Sequence, residues 1–247
     1  MYMSELGIVT LFGLLFGSFL NVLILRIPKE ENIAFPASHC TSCNTQLKWW
    51  HNIPVFSWIF LGGKCSFCKD KISIQYPIIE LSSALLFGLV YYKLESFPYS
   101  FVVGLVFALL LGLSLIDLRY KAVPDSLNLA ALTLAIFASP TIVENLTNAL
   151  IFAGGFALLR FYVSFAIKKE ALGEADIMIA ATIGAMVGLK LGVFTIFLSA
   201  IIALPVFLII KERDYEVPFI PFLAFALFLV YMFEGFFKDF IFNVYGI

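Results

Sequence analysis

Two aspartates and four cysteines carry what chemistry this 247-residue chain can do. Asp117 stands in SLIDLRYKAVPDSLN (114–128), where one long apolar run closes and the next opens. A charge deep in a bilayer costs about 2.5–3.5 kcal/mol even on the lenient insertion scale, so a carboxylate at such an edge needs a reason. Lys121, one helical turn on, would be a local ion-pair partner. Asp125 reads as the N-cap of the next helix. Capping does not serve Asp117, which ends its helix where the macrodipole repels an anion. Asp176 follows Gly173-Glu174-Ala175 and heads another apolar run, a place where an acid also serves as a cap. Taken together, two carboxyls in one partly dry site cannot both ionise cheaply. One keeps its proton and polarises a carbonyl while the other activates water. That is the chemistry of an aspartic protease. The two histidines, His39 and His51, both lie in the cysteine segment, so no Ser-His pair competes.

Cys40-Thr-Ser-Cys43 and Cys65-Ser-Phe-Cys68 are separated by 21 residues. Two such knuckles suit a structural Cys₄ zinc site with no open position for catalysis. Two disulfides are the rival reading, disfavoured where thiols stay reduced. Between the knuckles lie Trp49, Trp50, Phe56, Trp58 and Phe60. They read as a mini-core with interfacial anchoring, or as a surface for an apolar substrate helix.

The elements that must position these residues are membrane helices. The chain is 62% hydrophobic and 13% charged, with a mean hydropathy of +0.99, far from the balance of a soluble domain. Net charge is −1, which implies no nucleic-acid partner. The expected fold is an all-α polytopic membrane protein of about eight transmembrane helices, on the apolar runs 6–25, 77–92, 98–116, 127–143, 146–166, 177–189, 193–210 and 218–237. A first transmembrane helix (1–25) precedes a small zinc-stapled cytoplasmic lobe (26–76) and a transmembrane domain (77–247). The inside loops 26–76, 117–126, 167–176 and 211–217 hold 12 of the 16 Lys and Arg, which places the N-terminus outside and both acids on the cytoplasmic face.

Several motifs in order resemble the prepilin peptidases, bacterial leader peptidase/N-methyltransferases of the GxGD aspartyl protease type. They are GSFLNVLILRIP (17–28), the two knuckles with NIP (52–54) and GGKCSFC (62–68), QYPIIEL (75–81) and SLID…VPD (114–125). The resemblance implies a membrane aspartic endopeptidase in the bacterial inner membrane, with Asp117 and Asp176 catalytic. It implies type IV prepilin or pseudopilin substrates, the latter belonging to type II secretion, and leader removal on the cytoplasmic side. It also implies S-adenosylmethionine as methyl donor if the second activity is present. Glu80 and Gly173 are its candidates for substrate binding. The family's glycine-x-glycine-aspartate is here Gly173-Glu174-Ala175-Asp176, and VPFIPFLA (217–224) puts Ile220 at the glycine of a Pro-Phe-Gly-Pro turn. A proton-coupled transporter and an inactive pilin-assembly factor are the alternatives.

Overall fold

Apolar runs this long leave their backbone groups only one partner within a bilayer, the helix's own. The computed structural model describes residues 2–168, 173–209 and 218–245. Among these the chain is helical without strands, apart from two isolated β-bridges in the cysteine segment. The helices are α1 (Tyr2–Arg26), α2 (Phe56–Phe60), α3 (Gln75–Leu94), α4 (Phe97–Tyr120), α5 (Asp125–Ile136), α6 (Ile142–Ile167), α7 (Glu174–Ile209), α8 (Ile220–Met232) and α9 (Glu234–Tyr245). The expected loop 211–217 and the middle of 167–176 fall outside the described residues.

The eight apolar runs map onto helices among the described residues, α7 taking two of them and the run 218–237 dividing between α8 and α9. Among the described residues, length and composition let five helices cross a membrane outright: α1, α3, α4, α6 and α7. The pair α8 and α9, bent by 88°, makes six if it counts as one span. Two features separate this count from the expected eight. The run 127–143 is split: α5 ends at Ile136, the chain turns through Ser139-Pro140, and α6 begins at Ile142. The 36-residue α7 is broken at Gly188, whose φ of 74° and ψ of −177° are not helical. Unbroken it would reach about 54 Å against a hydrocarbon core of about 30 Å.

The chain divides into two compact units, Met1–Ala108 and Leu109–Ile247. In the first, α1 packs along α3 through Gly13 and Gly17. A Cβ on Gly17 would sit 2.7 Å from the Glu80 Cα, and one on Gly13 would sit 2.9 Å from the Ser83 carbonyl oxygen. This is the small-xxx-small contact by which membrane helices bring their backbones together. Val9, Phe87, Tyr91 and Ala108 form the core there, with Phe12, Phe16 and Phe101 against it.

In the second unit α7 packs on α6 and α8. Phe152 of α6 fills the space left by Gly184 and Gly192. Leu191, Val230 and Ile241 form a second core. Gly184→Ala would place a methyl 2.5 Å from Phe152 Cδ2 and 2.8 Å from the Asn148 carbonyl oxygen. Overpacking against backbone should cost about 1–3 kcal/mol. Gly154→Ala, with nothing within 4 Å of the new Cβ, should instead be neutral or stabilise by up to about 1 kcal/mol. Thermal unfolding in detergent compares the two, and equal midpoints would refute the packing account.

Candidate active site and metal centre

Asp117 lies in the last turn of α4, where unpaired carbonyls face an anion. The fold offsets this with another helix's start: the Ile220 N–H donates to Asp117 Oδ2 at 3.2 Å. Ile220 is the first residue of α8 and Pro221 follows it. The carboxylate therefore sits at a helix N-terminus after all, where free N–H groups favour negative charge. Asp117 is buried.

Asp176 is the third residue of α7, not its cap. Its Oδ2 accepts the Gly173 N–H at 3.1 Å, the backward half of a capping box. The two carboxyls come within Coulombic reach of each other. Both acids thus rest on helix N-termini of the second unit. Asp125 also differs from expectation: Pro124 occupies the cap position and Asp125 the first turn of α5, with no side-chain cap bond.

Neither departure from the glycine pattern distorts the backbone. Ala175 and Ile220 both lie in first helical turns, and neither has a positive φ. Alanine there favours the helix over glycine by about 1 kcal/mol. What Asp117 takes from Ile220 is a backbone N–H, which any residue but proline supplies.

One polar residue beside the acids went unread in the sequence. Asn128, fully buried on α5, donates from Nδ2 to the Ala175 carbonyl at 3.0 Å. Its Oδ1 is buried without a hydrogen-bond partner. An asparagine three residues after Asp125 in an apolar run was the available signal. Arg160 of α6 adds an ion pair to Glu174 at 3.0 Å. Asn128→Ala should destabilise the protein by about 0.5–1.5 kcal/mol, the net worth of the hydrogen bond it removes. Unfolding in detergent would measure it, and an unchanged midpoint would mean that Asn128 does not hold this turn.

Glu80 and the cysteines belong to the first unit. Glu80 is buried on α3, and its Oε2 accepts the Val55 N–H at 2.7 Å. Its carboxylate is therefore committed to the cysteine lobe. The knuckles have matching geometry. Cys40 N–H donates to Thr45 O at 3.0 Å and Cys65 N–H to Asp70 O at 2.8 Å. Each knuckle closes on a left-handed residue, Asn44 (φ 53°) and Lys69 (φ 62°). Ser42 and Asp70 tie the two together by a hydrogen bond.

The four Sγ atoms lie within 4.8 Å of one another. Cys40 and Cys68 sulfurs are 3.8 Å apart. A disulfide needs about 2.05 Å, so the cysteines are free thiols. Tetrahedral zinc with bonds of about 2.3 Å spaces its sulfurs by about 3.8 Å, and the cluster fits it. The thiol chemistry agrees. The Thr45 hydroxyl holds Cys43 down at about 6. Cys68, although drawn down by the Asp70 backbone, is pushed up to about 12 by burial and its three thiol neighbours. Zinc binding would displace the protons that the thiols still hold and join the four sulfurs as thiolates.

Residues 11–94 match the bacterial peptidase A24 N-terminal domain, and residues 104–208 match the type IV leader peptidase family. A prepilin leader peptidase/N-methyltransferase of Stutzerimonas stutzeri is 35% identical over 250 residues, covering 87% of this chain and 86% of its own. The chain belongs to the type IV leader peptidase family. The enzyme of the same description from Pseudomonas aeruginosa is 34% identical, with coverages of 87% and 86%. A type 4 prepilin-like proteins leader peptide-processing enzyme of Escherichia coli is 33% identical, with coverages of 72% and 76%. No solved structure matches the chain. As a member of the leader peptidase family the protein is a membrane protease.

Proposed function

We propose that this protein removes the leader peptide of type IV prepilins or pseudopilins with Asp117 and Asp176 as its dyad. The observation that carries this is the placing of both carboxyls on helix N-termini within Coulombic reach of each other. The deprotonated carboxylate takes a proton from water as its oxygen attacks the scissile carbonyl carbon. The protonated carboxyl gives its proton to the carbonyl oxygen. Collapse of the tetrahedral diol breaks the C–N bond: the proton held on the first carboxyl passes to the leaving amine, and one hydroxyl of the diol returns its proton to the second carboxylate, which restores the dyad. The family membership supports this chemistry over proton-coupled transport. An inactive assembly factor loses its footing as well, since Ala175 and Ile220 keep helical backbone beside both acids.

The finer assignments follow from the charge bias and the relatives. The domain 77–247 carries the peptidase site, and 26–76 is a lobe stapled by zinc on Cys40, Cys43, Cys65 and Cys68. Zinc closed by four thiolates supplies folding energy to the lobe and no reaction step. The N-terminus lies outside the inner membrane of a bacterium and the acids face the cytoplasm. Gly173 serves substrate binding beside Asp176, and Glu80 serves it through the turn that it holds. The relatives' names pair leader peptidase with N-methyltransferase. The new N-terminal amine would then take an electrophilic methyl group from S-adenosylmethionine as co-substrate.

Incubation of the detergent-solubilised protein with a prepilin, with and without S-adenosylmethionine, followed by mass spectrometry, tests both activities. Loss of the leader mass is expected in both samples, and one added methyl only with the donor. An intact prepilin under both conditions refutes the peptidase reading.

A further inference from the structure

Several of the lobe's large apolar residues stay outside any core. Phe60 is 85% exposed, Trp49 75%, Ile59 59% and Phe56 55%. An apolar surface of this kind on a soluble lobe calls for a partner. The Glu80 contact identifies which one.

Glu80 is the sixth residue of α3, which has the length and composition of a membrane span. Five residues of helix rise about 8 Å. The Glu80 carboxylate, held also by Ser18 of α1, accepts the Val55 N–H at 2.7 Å. Val55 immediately precedes α2. The start of α2 is thus fastened about one and a half turns inside a membrane-spanning helix. Amphipathic segments that lie in the interface bury their apolar side about 5–10 Å deep, which matches.

The backbone at this point is bent sharply. Val55 has φ 63° and ψ −52°, and the Phe56 N–H donates back to the Pro54 carbonyl at 2.6 Å. This is a γ-turn of the strained, positive-φ kind. A β-branched residue adopts it only where its surroundings over-determine it. Glu80 supplies that constraint, and the turn sets the direction in which α2 leaves. Lys48 lies over the Trp50 ring at 4.9 Å, and Arg26 holds the carbonyls of Asn32, Ile33 and Pro36 where α1 ends. Cations and tryptophans together are the composition of a headgroup layer.

We propose that α2, with Phe56, Ile59, Phe60 and the neighbouring Trp49 and Trp50, lies in the lipid interface and anchors the cysteine lobe flat on the bilayer. The lobe is then a monotopic element of a polytopic protein, held by lipid on one side and by Glu80 on the other.

The test uses intrinsic fluorescence, since all three tryptophans, Trp49, Trp50 and Trp58, lie in the lobe. The full-length protein is reconstituted into phosphatidylcholine vesicles that contain phosphatidylcholine brominated at either shallow or deep acyl positions. Shallow bromines should quench emission more than deep ones, while aqueous iodide should quench little. Trp49→Phe with Trp50→Phe should remove most of the lipid-quenched emission, because Trp58 is turned inward onto Gly63 and donates to the Ile72 carbonyl. Phe56→Ser with Phe60→Ser should weaken bromolipid quenching. Iodide quenching with no effect of brominated lipid overturns the proposal. So does unchanged lipid quenching in the Phe56/Phe60 variant. Emission blind to lipid but shifted by an added prepilin also overturns it, and assigns the surface to a substrate helix instead.

Discussion

Asp117→Asn and Asp176→Asn are each expected to abolish leader cleavage and to leave the fold unchanged. Asparagine is close to aspartate in size, and its Oδ1 can still accept. It keeps the bond from the Ile220 N–H at position 117 and the bond from the Gly173 N–H at position 176. What it cannot do is take or give the proton that moves in the reaction. A positioned acid or base is worth about 10²–10⁴-fold in rate. In the proposed mechanism the two groups share one proton, so losing either would leave the other with nothing to work against. The double variant should therefore be no slower than the single ones, the non-additivity of residues that act as a unit. The readouts are the rate of leader removal, followed by mass spectrometry, and the thermal midpoint in detergent. Wild-type cleavage in either variant would remove the dyad. A large drop in midpoint alongside lost cleavage would reduce the acid to a structural part.

Asp117 could be picked out from sequence because it was a misfit: an anion at the wrong end of its own helix. What makes that position tolerable could not be read there. The compensating N–H belongs to Ile220, 103 residues further along the chain, and only tertiary packing brings it. The glycine departures illustrate the same limit. In sequence Ala175 and Ile220 look like lost conformational freedom, yet the backbone there is helical and needs none. Helix existence followed directly from apolar length, while helix ends did not. Ser139-Pro140 stopped the run 127–143 early, and Gly188 broke α7 just before Lys190, where the apolar pattern was interrupted. The Gly13-x-x-x-Gly17 spacing went unread in the sequence, and nothing in one sequence says that Glu80 and Ser83 are what it meets.

Removing the metal should unfold the lobe without unfolding the protein. Between Ile24 and Ile79 the only buried hydrophobic residue is Cys65 itself. A segment of about fifty residues with so little core cannot hold a fold by burial alone. The knuckle bonds and the Ser42–Asp70 contact are surface hydrogen bonds, each worth about 0.5–1.5 kcal/mol net. A structural zinc contributes about 10–16 kcal/mol of apparent binding free energy in peptides of this size, more than all of these combined. The purified protein should therefore carry one zinc per chain by elemental analysis. Cys65→Ser, which removes the most deeply placed ligand, should lose it. The same variant should become protease-sensitive between α1 and α3, and Trp58 emission should shift to the red as its contact with Gly63 opens. The helices of the second unit contain no cysteine, and their helical signal should survive. A Cys65→Ser protein that keeps stoichiometric zinc, or a metal-free lobe that stays protease-resistant, would show that something other than the metal holds this segment together.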